Sequence, residues 1–278
     1  MNPIAKTGVI AALFTALSGS VSADERIVSI GGSITEIVYA LGEQDRLIAR
    51  DTTSSYPNVV ENLPDVGYMR ALSPEGVLSV DPTLIIAEDG SGPLETIQGL
   101  EAAEIPFVTI PDGFDRAAVT AKIHSVAQAL GVPEKGAALA ADIDAQLAAL
   151  DTDVDNPARV MFILSPQGGR IMASGTNTAA DGIIALAGGT NAVSGFEGYK
   201  PLTDEAVTLA APDVIVMMTS NGDHSTTDAD LWAHPAISTT PAAQTQSIVR
   251  FDGLLLLGFG PRTPEVATTL HAALYGSE

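Results

Sequence analysis

One stretch of this chain occurs twice. Leu72-Ser73-Pro74-Glu75-Gly76-Val77, followed by Asp81-Pro82-Thr83-Leu84-Ile85-Ile86, returns 130 positions later as Leu202-Thr203-Asp204-Glu205-Ala206-Val207, followed by Ala211-Pro212-Asp213-Val214-Ile215-Val216. Each copy reads as an N-cap, a short amphipathic helix, a proline-stopped turn and a buried strand. Arg159-Val160-Met161-Phe162-Ile163-Leu164 echoes the earlier Arg26-Ile27-Val28-Ser29-Ile30 in the same way. A solenoid repeats every 20–50 residues or so, and this period is far longer, so the pattern calls for a duplicated α/β lobe.

Local signals fill in each half. Arg26–Ile30 reads as a buried strand ending in Gly31-Gly32; Ser33 follows as the expected N-cap, with Glu36 in capping-box register and Leu41-Gly42 as the stop. Leu84-Ile85-Ile86-Ala87 and Phe107-Val108-Thr109-Ile110 are further short apolar runs bounded by Pro, Asp or Gly, which gives a βαβ reading with parallel sheets. Between the halves, Leu139, Ile143, Leu147 and Leu150 recur at helical spacing after Pro133. A helix of about 17 residues there would be about 25 Å long. It is either a stiff rod bridging two lobes or a surface helix of the first.

Composition narrows the chemistry. At 46% hydrophobic the chain can bury a core, so disorder is excluded. The 34 Asp and Glu against 13 Lys and Arg give a formal charge of −21, which disfavours nucleic acid and anionic membrane surfaces. Without cysteine there is no disulfide framework, thiol nucleophile or Cys-based metal site. Residues 1–23 read as a cleavable secretory signal: Lys6, the apolar run from Val9 to Phe14, then Val21-Ser22-Ala23. An N-terminal anchor helix is the alternative. With no cysteine after the apolar run, the expected product is a soluble periplasmic protein without a lipid anchor.

Catalytic signatures are missing. The chain has no G-x-S-x-G, P-loop or H-E-x-x-H motif; Gly90-Ser91-Gly92 and Gly258-Phe259-Gly260 lack the third glycine of a dinucleotide fingerprint. His124, His224, His234 and His271 fit no metal spacing. The expectation is a protein that is not an enzyme. The segment that stands out is Gly67-Tyr68-Met69-Arg70-Ala71-Leu72, a tyrosine in a polar connection just ahead of the first repeat. Tyr68 is a packing residue or a ligand-binding one. Arg70 favours the second role, because a guanidinium beside a phenol favours phenolate, a hard donor for ferric iron.

Together, Arg26–Glu36, Val66–Gly76, Ala173–Asp181, Tyr199-Lys200-Pro201-Leu202-Thr203 and Leu257-Gly258-Phe259-Gly260-Pro261-Arg262 make the chain resemble the haem-binding periplasmic proteins of ABC importers. These fall in the same class as the cobalamin and ferric-siderophore binding proteins. The resemblance implies two Rossmann-like α/β lobes, with parallel sheets flanked by helices, at 24–132 and 152–278. A single long helix at 133–151 joins them, and the ligand lies in the inter-lobe cleft. It implies ferric haem as cargo, Tyr68 as axial ligand to the iron and Arg70 as its neighbour. Met172, Tyr199 and Lys200 are candidates for the opposite wall.

Two departures accompany it. Some relatives place a His in the segment that here reads Leu164-Ser165-Pro166-Gln167-Gly168-Gly169, and some an Arg after the strand ending here in Met217-Met218-Thr219-Ser220-Asn221. A five-coordinate Tyr-only site, or one completed by water or another side chain, is therefore expected. Glu75 and Glu205, at equivalent repeat positions, are implied as docking carboxylates for an inner-membrane ABC permease and ATPase; they would also suit a helix N-terminus electrostatically. The carrier is expected to be monomeric. A ferric-siderophore or cobalamin carrier of the same fold is the alternative, and an exported α/β enzyme a distant one.

Overall fold

The computed structural model describes residues 25–150, 152–165, 170–219 and 226–276. The expected secretory signal, His224 and the segments 166–169 and 220–221 lie outside them. The first lobe runs β1 (Ile27–Ile30), α1 (Gly32–Ala40), β2 (Leu47–Arg50), α2 (Pro74–Leu78), β3 (Leu84–Glu88), α3 (Leu94–Glu101), β4 (Phe107–Ile110) and α4 (Arg116–Ala129). Its four strands form one parallel sheet in the order β2-β1-β3-β4. Helix α5 (Pro133–Ala148) then leads to β5 (Arg159–Ser165), β6 (Met172–Ser174), α6 (Ala179–Leu186), β7 (Thr190–Asn191), β8 (Tyr199–Pro201), α7 (Asp204–Ala210), β9 (Val214–Met218), α8 (Asp228–Ala233), α9 (Pro241–Thr245), β10 (Ile248–Phe251), α10 (Gly253–Leu257) and α11 (Thr263–Tyr275).

The second sheet has the order β10-β9-β5-β6-β8, with β7 also pairing β5, and it is mixed. Its β5–β9, β9–β10 and β5–β7 pairs are parallel, while β5–β6 and β6–β8 are antiparallel. This corrects the expectation of parallel sheets in both lobes. A parallel return needs a crossover of a dozen or more residues, and the short link from Ser165 to Met172 permits only a hairpin-like one.

The repeat is carried down to individual hydrogen bonds. Ser73 Oγ accepts from Gly76 N–H to start α2, and Thr203 Oγ1 accepts from Ala206 N–H to start α7. Each helix is followed by a non-glycine residue in the left-handed region, Asp81 at φ 49° and Ala211 at φ 40°. Arg26 donates to the carbonyls of Val80 and Asp81, and Arg159 donates to that of Ala210. Each arginine thus ties the base of its lobe's leading strand to the turn before the next.

The start of α1 departs from the capping-box reading. Gly31 occupies the N-cap position at φ 114°, a conformation that strains any L-residue, and Ser33 lies inside the helix. A Cβ on Gly32 would come within 2.5 Å of Leu254 and 2.6 Å of the Thr53 carbonyl, so side-chain-free backbone is needed for α10 to approach. Ser33 Oγ donates to Glu88, and Glu36 pairs with Arg262 from the far end of the chain.

One apolar cluster runs through both lobes. It joins Ile34 and Ile37 of α1, Val119 and Ile123 of α4, Ile143 and Leu147 of α5, Phe162 of β5, Ile183 of α6, and Phe259 and Val266. The Phe114 and Phe259 rings meet edge-on with centroids 5.5 Å apart. Two smaller clusters back the outer faces of the sheets. Buried polar contacts follow the same seam. Lys122 Nζ, with no exposure, lies 2.7 Å from Asp112, 3.3 Å from Glu88 and 3.2 Å from the Gly258 carbonyl. The Arg262 guanidinium also stacks on the Tyr56 ring at 3.7 Å.

Candidate functional site

The loop after β2 brings Tyr68 to the surface and fixes it there. Arg50 N–H donates to Pro64 O and Val66 N–H to Arg50 O, so the returning chain adds one parallel bridge to the edge of β2. Gly67, at φ 106°, has both backbone groups engaged: its N–H donates to Asp65 Oδ1 at 2.8 Å and its carbonyl accepts from Thr52 N–H at 3.0 Å. Arg50 Nη1 donates to the other Asp65 oxygen at 3.0 Å. Val66, Met69 and Leu72 drop into the outer core of the first lobe, and that leaves Tyr68 and Arg70 pointing out. Tyr68 is 43% exposed, and its hydroxyl oxygen accepts from Arg70 Nη1 at 3.1 Å. The two residues singled out in the sequence therefore act as a unit.

The second lobe contributes β6 and β8, which pair antiparallel. Ser174 pairs with Tyr199 and Met172 with Pro201, all on one face, while Ala173 and Lys200 share the other. The Tyr199 ring packs edge-on to Phe162, with centroids 6.2 Å apart, and remains 38% exposed. Burial raises the Tyr199 phenol above its ordinary value of 10.0; hydrogen bonding with Thr178, the Ala180 backbone and Ser174, and the positive charge of Arg70, pull it back. Arg70 belongs to the first lobe, so its charge reaches Tyr199 from the other lobe. Lys200 projects from the opposite face of β8, its Nζ 5.2 Å from the centre of the Phe196 ring. Of the three residues proposed for this wall, the fold brings Tyr199 and Met172 to one face and sends Lys200 to the other.

Glu75 and Glu205 are both exposed, each at the second position of its helix. Glu205 sits below its ordinary value of 4.5, held by a hydrogen bond from its own backbone N–H and one from Thr203. No group of three or more His, Asp or Glu among the described residues could hold a bare metal ion.

The sequence did not point to Lys122 as a buried cation or to Glu36 as the partner of Arg262. Burial raises Glu36 above its ordinary value of 4.5, although Arg262 opposes this, and burial raises Glu88 likewise against Lys122.

Comparison with known proteins gives this arrangement a context. A family model described as "Periplasmic binding protein" matches residues 27–253. The solved structure of the periplasmic heme-binding protein BhuT in complex with two hemes is 41% identical and superposes with a TM-score of 0.84, covering 90% of this chain and 97% of that one. The uncharacterized ABC transporter substrate-binding lipoprotein YvrC of Bacillus subtilis is 28% identical over 90% of this chain and 80% of its own length. The vitamin B12-binding protein of Vibrio campbellii is 28% identical over 75% of this chain and 74% of its own length. None of the described helices is long and apolar enough to cross a membrane. The matching proteins are substrate-binding proteins, and this chain, which belongs to the periplasmic binding protein family, is a binding protein and not an enzyme.

Proposed function

We propose that the chain carries ferric haem between its lobes, with the Tyr68 oxygen as axial ligand to the iron and Arg70 holding that oxygen in place. The observation that carries this reading is the exposed phenol of Tyr68, bonded to Arg70 at 3.1 Å. A phenolate neutralises part of the ferric charge, and an arginine hydrogen bond supports the anionic oxygen. Tyr199 and Met172 form the facing wall, where an aromatic ring and a thioether suit the flat apolar faces of a porphyrin. Similarity to a heme-binding protein at 41% identity supports the cargo. Glu75 and Glu205, one exposed carboxylate on each lobe, dock the loaded protein onto the two halves of an ABC permease.

A second reading, a cobalamin carrier, is favoured by similarity to the vitamin B12-binding protein. The two cargoes separate chemically, since cobalamin brings its own cobalt ligands and gains nothing from a phenolate donor. Titration of the purified protein with ferric hemin and, separately, with cyanocobalamin distinguishes them. The expected result is a saturable change in the Soret region with hemin and no saturable binding of cyanocobalamin. Saturable cyanocobalamin binding without a hemin response would overturn the haem reading.

A further inference from the structure

Gly90-Ser91-Gly92, which lacks the third glycine of a nucleotide loop, has a different partner in the fold. It lies in the turn between β3 and α3. Ser91 donates to the Glu88 carbonyl from both its N–H, at 3.1 Å, and its Oγ, at 2.6 Å, so the turn leaves the end of β3 in a fixed direction. Gly92 then meets the segment that carries Tyr68 and Arg70. Its N–H donates to the Met69 carbonyl at 2.8 Å, and its carbonyl accepts from Leu72 N–H at 2.9 Å. Beside these contacts the chain reverses in a tight turn, with Ala71 N–H donating to the Tyr68 carbonyl at 2.7 Å.

One side chain completes the clamp. Thr96, buried in the first turn of α3, donates from Oγ1 to the Leu72 carbonyl at 3.1 Å. Both backbone groups of Leu72 are therefore held by residues 92 and 96. Leu100, one turn along the same face of α3, is fully buried in the outer cluster that also takes Met69 and Leu72, so the Thr96 hydroxyl stands on an anchored helix. In the Tyr68–Ala71 turn Met69 points inward, while Tyr68 and Arg70 stand exposed on either side of it. The bonds on Met69 and Leu72 bracket Arg70, and the 3.1 Å contact between Arg70 Nη1 and the Tyr68 oxygen depends on the backbone they fix.

We propose that Thr96 is a positioning residue for cargo: together with Gly92 it holds the Tyr68–Ala71 turn in the backbone geometry that lets Tyr68 and Arg70 act as one unit. The assignment rests on the haem reading and adds to it a residue that makes no contact with either side chain and that no sequence motif indicated. A turn held in place beforehand loses little freedom when iron is bound, whereas a loose one must be ordered at that step.

The test compares the wild type with Thr96→Val, which keeps the shape and removes the hydroxyl, and Thr96→Ser, which keeps the hydroxyl. Thr96→Val leaves the Leu72 carbonyl without its donor. Its amide exchange should quicken at Leu72 and Gly92 but not at Ile85 in β3, whose N–H is held by the Pro106 carbonyl, and this separates a loosened turn from a general loss of stability. Ferric hemin should bind Thr96→Val about five-fold more weakly, with an altered charge-transfer band, and Thr96→Ser should restore both. Wild-type hemin affinity and spectrum in Thr96→Val, unchanged exchange at Leu72 and Gly92, or a loss that Thr96→Ser does not recover would each overturn the role. Absence of hemin binding by the wild type would instead remove the haem reading, and the exchange rates would still decide whether Thr96 holds the turn.

Discussion

Between Asp65 and Leu72 the chain buries Val66, Met69 and Leu72 and leaves Tyr68 and Arg70 in solvent, so the apolar positions of the loop set where its exposed ones point. That much was legible in the sequence as a tyrosine and an arginine two residues apart. The Asp65 hub that holds the loop was not, because an exposed carboxylate among 34 carries no signal until the backbone returns to it. Glu36 and Glu88 were misread or overlooked for a related reason. Their partners Arg262 and Lys122 are 226 and 34 positions away, and no local pattern spans such distances. Glu88 has a consequence for pH. Its carboxyl is raised in the folded protein, first by burial, so the native state binds its proton more tightly than the unfolded chain does. The stability this gives is present below the ordinary value of 4.5 and is lost as pH rises through the folded value. Melting temperatures measured across that range should therefore fall less steeply with rising pH in Glu88→Gln than in the wild type. Equal slopes would show that Glu88 titrates as an ordinary carboxyl.

At the scale of elements, the two copies of helix, turn and strand were readable because each depends on local chemistry. Ser73 and Thr203 cap, Pro82 and Pro212 block helix continuation, and a β-rich run follows each. The antiparallel pairing of β6 with β8 was not readable: the two strands are three residues each, too short for an alternation to register. Helix α5 is the element with the sharpest packing demand. A Cβ on Gly136 would sit 2.2 Å from the Ala127 Cβ, so this glycine is what allows α4 and α5 to lie so close. Gly136→Leu should force the two helices apart and lower unfolding stability by about 1–3 kcal/mol, as read from the urea midpoint. A stability equal to the wild type would mean that the α4–α5 contact is slack.

For the whole molecule, duplication predicted two similar lobes, but not how firmly they are joined. The shared apolar cluster, the Phe114–Phe259 contact and the buried Lys122 and Arg262 pairs all cross the seam, and together with α5 they make a wide hinge opening costly. On the proposed haem reading, cargo binding then depends on what Tyr68 offers to iron. Ferric hemin titrated into the wild type and into Tyr68→Phe, followed from the Soret band to the charge-transfer region, measures this directly. The account predicts a high-spin ferric charge-transfer band in the wild type, its loss in Tyr68→Phe, and an affinity weaker by about a hundred-fold. Identical spectra and affinities for the two proteins would contradict it.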